Sequence, residues 1–159
     1  MFERFKTDAR VVIMDAMQEA RVRADAKIEA EHLLLALAHR SASDAGRMLI
    51  DAGLDHQRLG IALDDGVHRA LEAMGVAVRL PGPTLPMAGQ PSWGESAKAA
   101  LRRATTIAKD HGDRHLSPSH ILLGVLRAHE GTVPHTLAVA GVDPRELAAR
   151  VEGTIGRPT

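Results

Sequence analysis

The apolar residues of this chain recur at helical rather than strand spacing. In residues 9–24, ARVVIMDAMQEARVRA, Val12, Ala16 and Ala20 mark one stripe with Val11 and Met14 on its flank. This predicts a helix opening near the capping pair Thr7–Asp8. Residues 29–40, EAEHLLLALAHR, predict a second helix, apolar through most of its length. A third, short one over DAGRMLIDAG ends at Gly53, a residue suited to a left-handed C-terminal turn, and Asp55 is placed to cap a fourth.

The same four elements then return. His32 and His120 lie 120 − 32 = 88 positions apart, and at that offset residues 5–63 align with residues 93–151 without a gap. Twelve of the fifty-nine pairs are identical, among them Ala9/Ala97, Asp25/Asp113, His32/His120, Gly53/Gly141 and Asp55/Asp143. Chance would supply roughly four or five, so the chain is a tandem duplication. The second copy adds clearer start signals: Ser117 as N-cap with Pro118 at the first helical position, and Asp143 with Pro144 and Glu146 as a capping box. Between the copies, GVAVRLPGPTLPMAGQPS (75–92) is rich in Pro and Gly and predicts a linker. The expectation is an all-α fold, one domain over 1–159 built from a duplicated four-helix repeat. Its parts are repeat 1 over about 1–63, an extension and linker over 64–92, repeat 2 over 93–151, and a tail over 152–159.

Composition narrows the chemistry. Apolar residues make up 45% and aromatics 2%, so the interior must be built from Ala, Leu, Val and Ile, which favours helices. Twenty basic residues balance twenty acidic ones, which gives no nucleic-acid footprint. The absence of cysteine excludes disulfides and thiolate zinc sites. No basic-then-apolar leader or long apolar stretch is present, so no membrane association is expected and the cytoplasm is the expected address.

Candidate chemistry is sparse. His32 and His120 each precede an apolar run in the first turn of a helix, where a histidine packs its ring against a neighbour and hydrogen-bonds backbone; the alternative is a ligand role. HGDRHLSPSH gathers His111, Asp113, His115 and His120, but Gly112 and Asp113 argue for a loop rather than a helix presenting two histidines on one face, so no metal is expected. The Walker pattern, a G-x-S-x-G elbow and a cysteine nucleophile are all missing. No catalytic residue or cofactor is expected, and neither is an enzyme.

MFERF at the start, the ARVV that follows, the EHLLLAL run and the gapless duplication together resemble the N-terminal domain of Clp ATPases of the actinobacterial and firmicute ClpC type. The resemblance covers residues 1–63 and 93–151 and implies two pseudo-symmetric four-helix repeats that recognise substrates and adaptor proteins for an unfoldase and its protease. The AAA+ modules it places downstream are absent from these 159 residues, which leaves an excised domain or a free-standing decoy that sequesters ligands from the ClpC-type ATPase. An assembly module without a ligand pocket is the alternative.

Two binding surfaces follow from the resemblance. ClpC-type domains hold phosphoarginine in two symmetry-related pockets, each with a glutamate before the helix histidine and a threonine after the N-terminal phenylalanine. Glu31 and, one step late, Thr7 match in repeat 1, whereas repeat 2 has Ser119 and Gly94. Cyclic peptide antibiotics of the cyclomarin class bind a groove between the first helices of the two repeats. There Phe2 and Lys98 match, Trp93 stands where the family has phenylalanine, and Ile13, Met14 and Met17 would complete an apolar wall. The residues alone leave a second possibility, that Phe2, Phe5 and Trp93 plug the ends of the bundle.

Overall fold

In the computed structural model, which describes residues 5–75 and 89–156, the 88-residue register reappears in the helix boundaries. Repeat 1 contains α1 (Thr7–Val22), α2 (Ala30–His39), α3 (Asp44–Asp51) and α4 (His56–Ala73); repeat 2 contains α5 (Glu95–Asp110), α6 (Pro118–Leu126), α7 (Thr132–Val139) and α8 (Pro144–Thr154). Every start in the second set is its counterpart plus 88: 7 + 88 = 95, 30 + 88 = 118, 44 + 88 = 132, 56 + 88 = 144. The buried positions follow the same rule. In α1 they are Ala9, Val12, Ile13, Ala16 and Ala20; in α5 they are Ala97, Ala100, Leu101, Ala104 and Ala108, with Ile107 added.

α2 and α6 form the centre. α2 is buried from Leu33 to Ala38 and α6 from Ile121 to Leu126, so each is apolar on all sides and is enclosed by its neighbours. α1 packs on α2, α5 packs on α6, and the two central helices meet each other. Gly124 lets α5 and α6 approach closely, because a Cβ there would collide with the carbonyl of Ala100. The first copy has Ala36 at that position.

The repeats are joined by exchanged backbone contacts. Lys27–Ile28 (β1) pairs in parallel with Ser92–Trp93 (β2), and Gly94 N–H donates to the Ile28 carbonyl at 2.9 Å. Shifted by 88, the same contact appears as a bridge between Phe5 and Leu116, with Lys6 N–H donating to the Leu116 carbonyl at 2.9 Å. The segment before each repeat's first helix therefore docks on the segment before the other repeat's second helix. This makes one shared core from two copies.

Local signals behave mostly as expected. Gly53 and Gly141 adopt left-handed φ values of 79° and 75°, Asp55 caps α4 through Arg58 N–H, and Ser117 caps α6 with Pro118 following. Three details differ. α1 begins at Thr7 after Lys6, without a side-chain cap; Asp143 caps α8 through Arg145 N–H, with no capping box from Glu146; and α4 runs on to Ala73, so residues 64–73 of the expected extension are helical. Among the described residues no helix is long and apolar enough to cross a membrane.

Candidate functional site

The two conserved-register histidines resolve into packing. His32 is 1% exposed; its Nδ1 accepts from Glu29 N–H at 2.8 Å and its Nε2 lies 2.8 Å from Asp25 Oδ2. His120 repeats this with Ser117 N–H and Asp113 Oδ2, each at 2.9 Å. A ring nitrogen that accepts from an amide carries no proton, so both rings are neutral with Nε2–H donating to the aspartate. Burial lowers the pKa of His120, against the opposing pull of Asp113, and favours the same neutral form. His111 is also occupied, its Nδ1 2.9 Å from the Ile107 carbonyl. Of the HGDRHLSPSH run, His111, Asp113, Ser117 and His120 are thus engaged at helix ends.

The exchanged contact at Ile28 builds something different. Glu29, the next residue, crosses to the N-terminus of α5, where its carboxylate accepts from Ser96 N–H at 3.1 Å and from the Ser96 hydroxyl. Ser96 Oγ in turn accepts from Ala30 N–H at 2.8 Å, so the N-termini of α2 and α5 cap each other. Gly94 is what admits the carboxylate, since a Cβ there would collide with it. At the symmetry-related position Lys6, Asp8 and Ser117 replace Gly94, Ser96 and Glu29, and no such bridge forms.

Beside this junction lies a cleft of about 680 Å³. Glu29 and Glu31 of α2, Ser96 and Arg103 of α5, and the loop from Ala128 to Val133 with Glu130 line it. A smaller depression of about 390 Å³ shares Ala99 and Arg103 with it and adds Arg102 and Arg127. Sharing that α5 lining, they make a trough along α5, with Glu29, Glu31 and Glu130 in the larger part, Arg102 and Arg127 with Asp110 in the smaller, and Arg103 in both. Burial raises the pKa of Glu31, and Glu29 and Asp25 push the same way, while its own backbone N–H and His32 oppose the rise. Arg103 is perturbed in the opposite sense by burial and by Arg102, and its Nε is engaged by the Gly124 carbonyl at 2.8 Å. Glu31 and Arg103 each hold charge that has lost water, the condition under which an opposite charge on a ligand is bound most tightly.

The family model described as the "Clp repeat (R) N-terminal domain" matches residues 4–86 and 92–159. The chain belongs to this family. It is 28% identical over 159 residues to "Chaperone protein ClpC1, chloroplastic" of Oryza sativa subsp. japonica, covering 100% of this chain and 16% of that protein. The match to "Chaperone protein ClpC, chloroplastic" of Pisum sativum is 28% over 156 residues, 98% of this chain and 16% of that protein. This Clp repeat domain thus spans only about 16% of the length of these curated relatives. Among solved structures, the N-terminal domain of ClpD from Arabidopsis thaliana superposes with a TM-score of 0.75 at 18% identity, over 99% of this chain and 97% of that one. The Hsp104 N-terminal domain from Candida albicans gives 0.67 at 19%, over 98% and 94%. The all-α fold is therefore that of the Clp N-domains.

Within the Clp repeat domain, the residues expected to form sites differ in burial. Ile13 is 5% exposed and belongs to the core, because it shares the buried stripe of Val12 and Ala16. Met14, by contrast, is 67% exposed and Met17 half-buried. Trp93 is half-buried against the core, at the position equivalent to buried Phe5, and Lys98 is half-buried beside exposed Glu95. Phe2 lies outside the described residues. Neither depression is lined by Ile13, Met14, Met17, Trp93 or Lys98. Thr7 starts α1 beside the Lys6–Leu116 contact, whereas Glu31 shares its cleft with Ser96. The exchange of segments explains this, since the first turn of α2 faces the start of the other repeat. Sequence reasoning missed Glu29, Ser96, Arg103 and Glu130. The 88-residue register could have flagged Glu29, which faces Ser117 in it, but the exchange that gives it a partner is visible only in three dimensions.

Proposed function

We propose that this Clp repeat domain is a non-catalytic binding module that takes an extended peptide segment of a Clp substrate or adaptor into the trough along α5. The observation that carries the reading is Glu31: a half-buried carboxylate with a raised pKa and no side-chain partner among the described residues, in the same cleft as Arg103. A guanidinium or ammonium on the ligand seats against Glu31 and Glu130, and an anionic group against Arg102 and Arg103. Phosphoarginine carries both charges on one side chain, and the trough offers one such place, at repeat 1. Acting apart from an ATPase, the domain would sequester such segments from a ClpC-type unfoldase. Cytoplasm-type compartments are where those partners would be met.

Isothermal calorimetry with a short peptide carrying one phosphoarginine tests this. One site is expected, weakened by at least about tenfold in Glu31→Gln and in Arg103→Gln, as for loss of one charged anchor. Binding that neither substitution alters would refute the trough. A second reading rests on exposed Met14: a cyclic peptide of the cyclomarin class would cover the α1 edge with Met14, Met17, Lys98 and Trp93. Trp93 is the only tryptophan, so its emission reports on that edge alone. A saturable single-site shift, weakened in Met14→Ala, is expected. A flat titration, with no peptide bound in the calorimeter, leaves the assembly role.

A further inference from the structure

Away from the trough, three donor side chains converge where α1, α2 and α4 meet. Glu19 comes from the last turn and a half of α1, His39 is the final residue of α2, and His56 is the first of α4. His56 Nε2 lies 2.6 Å from Glu19 Oε1, and the His39 and His56 rings meet edge to face with centroids 5.3 Å apart. The three donor atoms all lie within 4.8 Å of one another. The second copy has Ile107, Arg127 and Pro144 at these positions. Ile107 is buried core, so repeat 1 places a carboxylate where the same fold accepts an isoleucine. Packing inherited through the duplication therefore does not account for the set.

We propose that Glu19, His39 and His56 form a binding site for a divalent transition-metal ion, zinc(II) being the best match to the ligands. Two imidazoles and one carboxylate are a borderline-soft donor set of the kind zinc takes, with copper(II) and nickel(II) as competitors. Tetrahedral zinc with bonds of about 2.0–2.1 Å holds its donors about 3.3 Å apart. The Glu19–His56 pair must then open from 2.6 Å and the widest pair close from no more than 4.8 Å. His39 is exposed and His56 is 41% exposed, so side-chain rotation achieves both. Three protein ligands leave the fourth position to water or to a donor from a bound protein. The ion would pin the end of α2 to the start of α4 across α1.

Cobalt(II) titrated into the purified chain, followed by zinc(II) competition, tests the site, because cobalt reports its own coordination in the visible spectrum. One cobalt per chain with d–d bands is expected, displaced by zinc, and zinc should raise the melting temperature. His39→Ala and Glu19→Gln should each weaken cobalt binding by at least about tenfold. His39 is exposed and its one ring contact among the described residues is with His56, so its variant keeps the fold. The double variant His111→Ala, His115→Ala should bind like the parent. A parent without d–d bands overturns the proposal. So does binding that survives both His39→Ala and Glu19→Gln, or that is lost in the His111, His115 variant.

Discussion

Replacing His120 with alanine should destabilise the domain by about 2–4 kcal/mol. The ring is 3% exposed, and its removal orphans Ser117 N–H at the start of a buried helix as well as leaving a void. An unsatisfied part-buried donor costs about 1–3 kcal/mol, and loss of an aromatic-sized side chain adds a cavity term only partly relieved by relaxation. Urea denaturation followed by circular dichroism reads the sum. The pH dependence has a definite sign. Burial holds the His120 pKa below its ordinary 6.5, so between the folded pKa and 6.5 the unfolded chain binds more protons. Stability from this group is then fully present above 6.5 and is lost as pH falls towards the folded pKa. The parent should lose stability on going from pH 7.5 to 5, and part of that slope should vanish in His120→Ala. Asp113→Asn should cost less than about 1 kcal/mol, because a neutral Nε2–H needs an acceptor and not a charge. A His120→Ala cost below about 0.5 kcal/mol would refute the packing argument. A parent that grew more stable on acidification, with Asp113→Asn strongly destabilising, would show an imidazolium instead.

Four further outcomes follow from the geometry. Gly94→Ala and Glu29→Ala should each cost about 0.5–2 kcal/mol by breaking the shared cap, and the double variant should cost little more than either, as a thermodynamic cycle would reveal; additive costs would mean Glu29 does not cap α5. Ala24→Gly should stabilise by about 0.5–1 kcal/mol, since Ala24 sits at φ 58° where the second copy has Gly112 at 73°; a lowered melting temperature would contradict this. Ile13→Ala should cost about 2–4 kcal/mol and Met14→Ala less than about 0.5, and similar values for the two would return Ile13 to the surface. Glu31→Gln should change stability at pH 7 by no more than about 0.5 kcal/mol, on the stabilising side. The reason is that a raised carboxyl pKa makes the folded state less stable as pH climbs through the ordinary 4.5 and the folded value above it; a large loss would make Glu31 a structural partner.

The fold was legible because its signals are local and occur twice. Helical periodicity, Gly53 and Gly141, Asp55, and Ser117 with Pro118 each declare an element on their own, and the 88-residue register confirms them in pairs. What escaped were relations across the pseudo-two-fold axis. Nothing near Glu29 in sequence announces Ser96, 67 residues away, and nothing near Thr7 says that its segment docks on Leu116. The burial of Ile13 escaped for a related reason. The stripe of α1 is broad, and only the seating of α2 decides that Ile13 falls inside it and Met14 outside.

The duplication separates what folding needs from what a site needs. Two copies of one fold solve the same packing problem, so a residue required by the fold should appear in both: Asp25 and Asp113 hold His32 and His120, and the buried alanines of α1 recur in α5. Residues present in one copy answer to something else. Glu31 faces Ser119 in the register, Glu29 faces Ser117, and Arg103 faces Asp15, which is tied to Arg40 at 2.9 Å. Glu19, His39 and His56 face Ile107, Arg127 and Pro144. Burying part of a carboxylate where its twin is an isoleucine carries a desolvation cost that the fold does not demand. Both asymmetric clusters involve repeat 1, one at the start of α2 and one at its end. α2 therefore joins the two candidate sites, and a ligand that moved its N-terminus would act through about fifteen ångströms of rigid helix on the metal donors at its C-terminus.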